Sequence, residues 1–156
     1  MHRRIQASAI VETRGLTRVT VSGVRTGLGE LIERILADDA TAEFVCILQR
    51  SDGSTDVVLG VRATVPGGPP LRARDESVLR EGGVLEVAAG VAMLGVYGPH
   101  FREKPGILST FLTALGKSSA PVLGVASSIS SLCALVPESH FDAARDALAE
   151  AFDTPK

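Results

Sequence analysis

Two glycine-bearing turns are the places in this sequence where a small molecule could be held. Each turn follows an apolar strand and ends in a glycine that opens an amphipathic helix, at Gly29 in the first case and at Gly106 in the second. A helix start leaves backbone N–H groups without partners and carries a partial positive charge. Each turn is therefore a candidate cradle for a carboxylate or a phosphate group.

The elements around the two turns repeat in the same order. A strand at 19–24 leads to a predicted helix over 29–38, and a strand at 91–96 leads to one over 105–115. Apolar residues recur at helical spacing, which predicts one buried stripe on each helix. The stripes are Leu28, Leu31, Ile32, Ile35 and Leu36, and Ile107, Leu108, Phe111, Leu112 and Leu115. A duplicated small module is the simplest interpretation.

The rest of the chain predicts the elements that surround these motifs. Apolar runs bounded by turn residues predict strands at 4–11, 17–24, 43–50, 55–62, 84–87, 122–129 and 132–136. Residues 12–15 predict a polar break after the first strand, and residues 51–54 predict a hairpin turn. A Pro- and Gly-rich break at 66–70, a weak helix over 72–81 and a final helix from a Ser139/Asp142 capping box to Phe152 complete the pattern.

The count of strands predicts how the two modules are connected. The first module reads strand, helix, strand, strand, helix, strand, but the second ends after its second helix, because residues 153–156 are not expected to form a strand. The N-terminal strand at 4–11 is left over and completes the second sheet. The prediction is an α+β fold of two ferredoxin-like βαββαβ modules, the first (17–88) inserted in the second (4–12 plus 90–152).

Composition excludes several classes of function. The 156 residues include 16 basic and 18 acidic side chains, a balance that argues against a nucleic-acid partner. Apolar runs are too short to cross a membrane and the N-terminus does not resemble a signal peptide, so we expect a cytoplasmic protein without a membrane partner. Cys46 and Cys133 lie in apolar strands, and His100 and His140 lack metal-ligand spacing, which predicts no metal site.

The sequence resembles the paired ACT domains that regulate aspartate kinases, as a C-terminal half or as a separate small subunit. The resemblance covers nearly the whole chain. The residues that carry it are Val19-Thr-Val-Ser-Gly23, Gly29-Glu30, Leu48-Gln49 and Thr55-Asp56 in the first copy, and Lys104-Pro105-Gly106, Ser127-Ser128 and Phe141-Asp-Ala-Ala144 to Phe152 in the second. It implies a protein without a cofactor or a catalytic residue, which binds a small amino acid effector between ACT domains.

The resemblance also implies which residues would contact the effector. They are Thr26, Gly27, Leu28, Gly29, Glu30, Gln49, Arg50 and Asp56 in the first copy, and Gly106, Ser127 and Ser128 in the second. Thr26 stands where the family usually has an aspartate, and Arg50 stands where it has an asparagine. Arg50 therefore suggests a more acidic ligand. The implied partners are a second copy of the chain or an aspartate kinase-like catalytic chain.

Three hypotheses on function remain open at the level of sequence. The chain is an amino-acid-sensing regulatory subunit, a structural or dimerising subunit that has lost its effector, or a small-pocket enzyme that reuses the fold. Phosphoryl transfer is not expected, because there is no glycine-rich phosphate loop with its lysine. The serines at 127–131 have no histidine or acid in a recognisable catalytic relation to them.

Overall fold

The computed structural model describes residues 4–36, 40–63, 84–99 and 101–155. The predicted break at 66–70, the weak helix over 72–81, the predicted helix end at Asp38 and His100 lie outside the described residues. The strands are β1 Ile5–Gln6, β2 Ala9–Val24, β3 Ala40–Gln49, β4 Thr55–Ala63, β5 Val84–Tyr97, β6 Gly124–Ser127, β7 Ser131–Pro137 and β8 Phe152–Asp153. The α-helices are α1 Leu28–Ile35, α2 Ile107–Lys117 and α3 Phe141–Ala151.

The chain divides into two units. The terminal unit comprises residues 1–14 and 90–156, and the inner unit comprises residues 15–89. Both units combine helices with antiparallel strand pairings in the larger sheet, and the terminal unit adds one short parallel pair, β1 with β8. The predicted mixed fold of helices and antiparallel strands is therefore confirmed.

In the inner unit the strand order is β3-β4-β2-β5. Val19 and Val21 on β2 lie opposite Leu59 and Val57 on β4, and all four are buried. Helix α1 buries Leu31 and Ile35 in the same cluster, with Leu28, Ile32 and Leu36 packed against it, as the apolar stripe predicts. Strands β3 and β4 form the predicted hairpin around residues 51–54.

In the terminal unit the strand order is β2-β5-β7-β6. Its core contains Phe111 from α2, Phe141 from the start of α3 and Phe152 from β8, all fully buried. The guanidinium of Arg14 stacks 3.8 Å from the centroid of the Phe141 ring and donates a hydrogen bond to Asp142 at 2.9 Å. These contacts tie the first part of β2 to α3 within this unit.

Two predicted breaks in the chain are wrong. Residues 12–15 do not separate two strands, because β2 runs without interruption through Gly15, and β5 likewise joins the predicted strands at 84–87 and 91–96 through Gly90. Both glycines have a left-handed φ, +72° and +73°. A glycine with positive φ inside a strand is typical of a bulge, where the strand bends without ending.

The chain ends also differ from the prediction. The predicted strand at 4–11 is divided, because residues 5–6 form β1, which pairs in parallel with β8, and only residues from Ala9 onward belong to the larger sheet. Strand β8 was not predicted, since residues 153–156 were expected to be irregular. The strand predicted at 122–129 is shorter, and β6 covers only Gly124–Ser127.

The start of α3 corrects the predicted capping box. His140 precedes the first helical residue, and no side chain caps the helix start by a hydrogen bond. The Ser139 hydroxyl lies 3.0 Å from Nδ1 of its neighbour His140 instead. A 3₁₀ turn at Glu138–His140 leads into the helix, so Ser139 lies inside that turn and not at the cap.

Candidate functional site

The two helix starts have the same backbone geometry. The residue before α1 is Gly27, with φ 71° and ψ 26°, and the residue before α2 is Gly106, with φ 84° and ψ −3°. The carbonyl of Gly27 accepts the N–H of Leu31 at 3.0 Å, and the carbonyl of Gly106 accepts the N–H of Thr110 at 2.9 Å. Each glycine therefore opens the first helical turn in the same way.

This geometry corrects the predicted helix starts. Gly29 is the second residue of α1, and Gly27 is the equivalent of Gly106. Pro105 lies before the helix and not in its first turn. The positive φ favours glycine at both positions. A Cβ at Gly106 would meet no atom within 4 Å, so backbone conformation, and not lack of space, accounts for the glycine there.

In the inner unit, two of the predicted site residues bind each other. The Asp56 carboxylate accepts the N–H of Gly23 through Oδ1 at 2.9 Å and the Nε of Arg50 through Oδ2 at 2.6 Å. The hydrogen bond from Gly23 and then that from Arg50 lower the pKa of Asp56. The charge of Arg50 is thus already paired, which weakens its predicted role as a partner for an acidic ligand.

Arg25 and Asp52 form a second ion pair in the inner unit, with 3.6 Å between the guanidinium and the carboxylate. The Asp52 carboxylate accepts the hydroxyl of Ser54 at 2.6 Å and its N–H at 2.9 Å, and these bonds lower the pKa of Asp52. Arg25 lies just before the turn and donates to the Asp52 carbonyl at 3.2 Å. Neither Asp52 nor Arg25 was predicted as part of the site. The sequence signal that could have indicated this pair is their opposite charges, one at a hairpin tip and the other beside a helix start.

The other predicted residues of the inner unit lie around the turn or at the end of β3. Thr26, Gly27, Gly29 and Glu30 are exposed, and Leu28 is half-buried against the core. Gln49 is exposed at the last position of β3. The structure thus groups Thr26–Glu30 along one helix start, and it joins Arg50 to Asp56.

In the terminal unit, three predicted residues line one groove. Gly106, Ser127 and Ser128 border a depression of about 470 Å³ beside the start of α2. The remaining lining residues are Phe101, Lys104, Ile107, Leu108, Ile129, Ser131 and Leu132. The groove was predicted only through Gly106 and the two serines. Lys104 belongs to the residues that carry the family resemblance, but the sequence does not predict it as a site residue.

The polar groups of the groove are arranged by the β6–β7 turn. The hydroxyls of Ser128 and Ser131 lie 2.8 Å apart, and the Ser128 N–H donates to the Ser131 carbonyl at 2.9 Å. Ser131 is buried, whereas Ser127 and Ser128 are exposed at the groove. Because Lys104, Ile107 and Leu132 all line the groove, it can accept an anionic group and a small apolar group together.

A wider groove of about 780 Å³ runs between α2 and α3 of the terminal unit. Gly106 is the only predicted site residue among those that line it. Its charged side chains include Lys117, Asp146 and Glu150, which are exposed. This groove has no feature that favours one ligand charge.

The described residues give no support for metal or membrane chemistry. Among them, no group of three or more His, Cys, Asp and Glu side chains could hold a metal ion. No helix in the described ranges is long and apolar enough to span a membrane. Both cysteines are free and half-buried, and burial raises the pKa of the Cys133 thiol.

Comparison with known proteins defines the class of fold. No protein-family model matches the sequence, and no curated protein matches it either. In structure, however, the chain resembles the regulatory subunits and regulatory domains of aspartate kinases, and this confirms the resemblance predicted from sequence.

Three solved structures illustrate the likeness. The ligand-free regulatory subunit of aspartate kinase from Thermus thermophilus has a TM-score of 0.79 at 13% identity, over 94% of this chain and 99% of that one. The regulatory subunit from Thermus flavus has a TM-score of 0.71 at 11% identity, over 96% and 99%. The aspartate kinase of Clostridium acetobutylicum has a TM-score of 0.77 at 16% identity, and the match covers 97% of this chain but 37% of that enzyme.

Proposed function

We propose that this chain is a non-catalytic regulatory protein built of two ferredoxin-like ACT modules, which binds a small amino acid and controls an aspartate kinase-like catalytic chain. One observation carries the proposal. The fold matches the regulatory subunit of Thermus thermophilus aspartate kinase over 94% of this chain and 99% of that one. The match to the kinase of Clostridium acetobutylicum covers 37% of that longer enzyme.

We place the effector in the groove of about 470 Å³ beside the start of α2, in the terminal unit. Its carboxylate would accept from the N–H groups at the start of α2 and face the ammonium of Lys104. The hydroxyls of Ser127 and Ser128 would bind its other polar groups, and its side chain would contact the apolar wall. What supports this choice is that the groove already joins Gly106, Ser127 and Ser128.

The turn of the inner unit is the second candidate site. It comprises Thr26, Gly27, Leu28, Gly29 and Glu30, with Gln49, Arg50 and Asp56. The shared backbone geometry of Gly27 and Gly106 favours it. A ligand that used Arg50 or Asp56 there would first have to break their 2.6 Å ion pair. We therefore rank this turn behind the groove.

The proposal is tested by thermal unfolding of the full chain with each proteinogenic amino acid. A ligand at a hundred times its dissociation constant should raise the free energy of unfolding by about 2.7 kcal/mol. We expect at least one amino acid to do so, and we expect Lys104→Gln and Ser128→Ala to weaken the effect. Lys117→Gln is the matched control, because Lys117 lies at the other end of α2. It lines the wider groove between α2 and α3 and not the groove proposed for the effector.

Two results would contradict the proposal. If no amino acid at 10 mM, on the order of a hundred times a 0.1 mM dissociation constant, shifted unfolding, the structural-subunit hypothesis would replace it. Turnover of a substrate by the isolated chain would favour an enzyme instead. An effect on kinase activity is measured separately, by adding the chain and the stabilising amino acid to an aspartate kinase catalytic chain from the same host.

A further inference from the structure

The groove of about 470 Å³ beside α2 is lined by a cation and by no acid. None of the described residues that line it is an aspartate or a glutamate, whereas Lys104 is exposed there. Glu103 precedes Lys104 in the chain, but it does not line the groove. Among the described residues, the Lys104 ammonium has no ion-pair partner. A ligand could therefore supply the missing negative charge.

The start of α2 adds further hydrogen-bond donors. The N–H of Thr110 is the first of the helix to donate to a carbonyl one turn back, that of Gly106 at 2.9 Å, so the N–H groups at 107–109 have no acceptor within the helix. The first turn contains no acidic residue, and no side chain caps it. Helix α1, in contrast, has Glu30 in its first turn, and α3 has Asp142. The partial positive charge at the start of α2 is therefore not balanced within its first turn.

The acceptors beside the groove already carry hydrogen bonds. The Ser130 carbonyl accepts the N–H of Gly98 at 2.9 Å, and the Ser131 carbonyl accepts the N–H of Ser128 at 2.9 Å. The Ser128 hydroxyl accepts the N–H of Ser130 at 3.3 Å, which leaves its own proton for the Ser131 hydroxyl or for a ligand. An ammonium group bound here would find no carboxylate, and the carbonyls of the turn are already bonded.

The inner unit shows the kind of pairing that the groove lacks. There the Asp56 carboxylate accepts from Arg50 and from the N–H of Gly23, and the Asp52 carboxylate pairs with Arg25. The helix start of the terminal unit has a cation beside it but no carboxylate among the described residues that line its groove. A carboxylate brought by a ligand would form the same charge-assisted hydrogen bonds.

We propose that the ligand of this groove carries two carboxylates and a net negative charge, as acidic amino acids and short dicarboxylic acids do. One carboxylate accepts from the start of α2 and from Lys104, and the other accepts from the hydroxyls of Ser127 and Ser128. The methylene groups between them contact Ile107 and Leu132. The α-ammonium of an amino acid stays in solvent, so the groove does not recognise it. This inference rests on the proposed function for the role of the site and adds the charge of the ligand.

Pairs of ligands that differ in charge but not in shape test the proposal. Calorimetric titration of the full chain compares aspartate with asparagine and glutamate with glutamine. Hydrogen bonds to charged groups are stronger than those between neutral groups, so at least one acid should bind about tenfold more tightly than its amide, or better. Lysine and arginine should not bind. The ionic strength is held constant, because salt screens exposed charges.

Two lysine variants test whether the preference for the acid arises at the groove. Lys104→Gln removes the ammonium beside the start of α2, and we expect it to reduce the ratio of acid to amide affinity by about threefold or more. Lys117→Gln removes the same charge at the other end of α2 and should leave the ratio unchanged. Both side chains are exposed, and circular dichroism checks that the variants fold.

Succinate and glutarate separate this inference from the proposed function, because they have two carboxylates and no ammonium. We expect each to bind within about tenfold of the corresponding amino acid, and we expect acetate to bind about tenfold more weakly than succinate, or worse. Binding of succinate without binding of any amino acid would support the two-carboxylate ligand and overturn the proposed function.

The opposite outcome overturns the inference alone. If a neutral or cationic amino acid bound best and its affinity depended on Lys104, the proposed function would stand and the two-carboxylate ligand would be wrong. Equal affinities for acid and amide, or equal changes of their ratio in Lys104→Gln and Lys117→Gln, would overturn the inference as well.

Discussion

The helix starts at Gly27 and Gly106 share one backbone conformation, but their polar surroundings differ. Beside Gly27, Arg25 and Arg50 are paired with Asp52 and Asp56. Beside Gly106, exposed hydroxyls and an exposed lysine border a groove of about 470 Å³. The same turn conformation therefore occurs beside ion-paired side chains in one unit and beside a groove in the other, and the neighbouring side chains determine the difference.

The cores of the two units give the largest expected effects. Phe111→Ala removes a fully buried ring from the terminal core and should cost about 3–5 kcal/mol. Leu31→Ala, at a residue that is 1% exposed in the inner core, should cost about 2–5 kcal/mol. Urea unfolding measures both losses.

Leu112→Ala is the control for Phe111. Leu112 follows Phe111 on α2 but is 41% exposed, so its loss should stay below about 1 kcal/mol. If Phe111→Ala cost as little as Leu112→Ala, the terminal core would not be organised around that ring.

The glycines test whether the two helix starts are equivalent. An alanine at Gly27 or Gly106 must adopt a left-handed conformation, which costs about 1–2 kcal/mol. Gly29→Ala should instead stabilise the chain by about 0.5–1 kcal/mol, because Gly29 lies inside α1 and a Cβ there has open space. Thermal and urea unfolding of the three variants give the signs.

The prediction depends most on the free energy of unfolding changing in opposite directions in Gly27→Ala and Gly29→Ala. If Gly29→Ala destabilised the chain and Gly27→Ala left its stability unchanged, the result would indicate that α1 begins at Gly29, as the sequence predicts. Unequal losses at Gly27 and Gly106 would show that the two turns are strained to different degrees, although their dihedral angles are similar.

The smallest expected effect is the pH dependence of the inner unit. Hydrogen bonds lower the pKa of Asp52 and of Asp56 below the usual 3.8. The unfolded chain therefore binds these protons at a higher pH than the folded chain does. Their contribution to stability is complete above about pH 4 and is lost as the pH falls through the lowered pKa values. Asp56→Asn should lose less stability than the parent between pH 5 and pH 3.

Ser54→Ala sharpens the same measurement. The Ser54 hydroxyl is the largest cause of the lowered pKa of Asp52, so its removal should flatten the pH dependence further. Equal losses of stability by the parent, Asp56→Asn and Ser54→Ala between pH 5 and pH 3 would contradict the assigned hydrogen bonds.

Much of the fold follows from patterns of neighbouring residues. The stripe on α1 and the hairpin around 51–54 were predictable, because apolar periodicity indicates burial and turn residues indicate chain reversal. Gly15 and Gly90 misled the prediction. A glycine with positive φ serves equally well in a turn and in a bulged strand, and only pairing with distant strands decides between them.

The site was predicted less well, for a related reason. Spacing located the two turns, but it placed the first helix start at Gly29, because either glycine fits the sequence pattern. The ion pairs of Arg50 with Asp56 and of Arg25 with Asp52 depend on how the hairpin tip meets the end of β2. That arrangement is tertiary, and the sequence indicated only that the charges were available.

The most direct test of the proposed site is an NMR titration of the full chain with the amino acid that stabilises it most. The account predicts that amide shifts change at Ile107–Ser109 and at Ser127 and Ser128, while those of Leu28–Glu30 stay within error. Changes confined to Leu28–Glu30 and Asp56, or no saturable change anywhere, would contradict it.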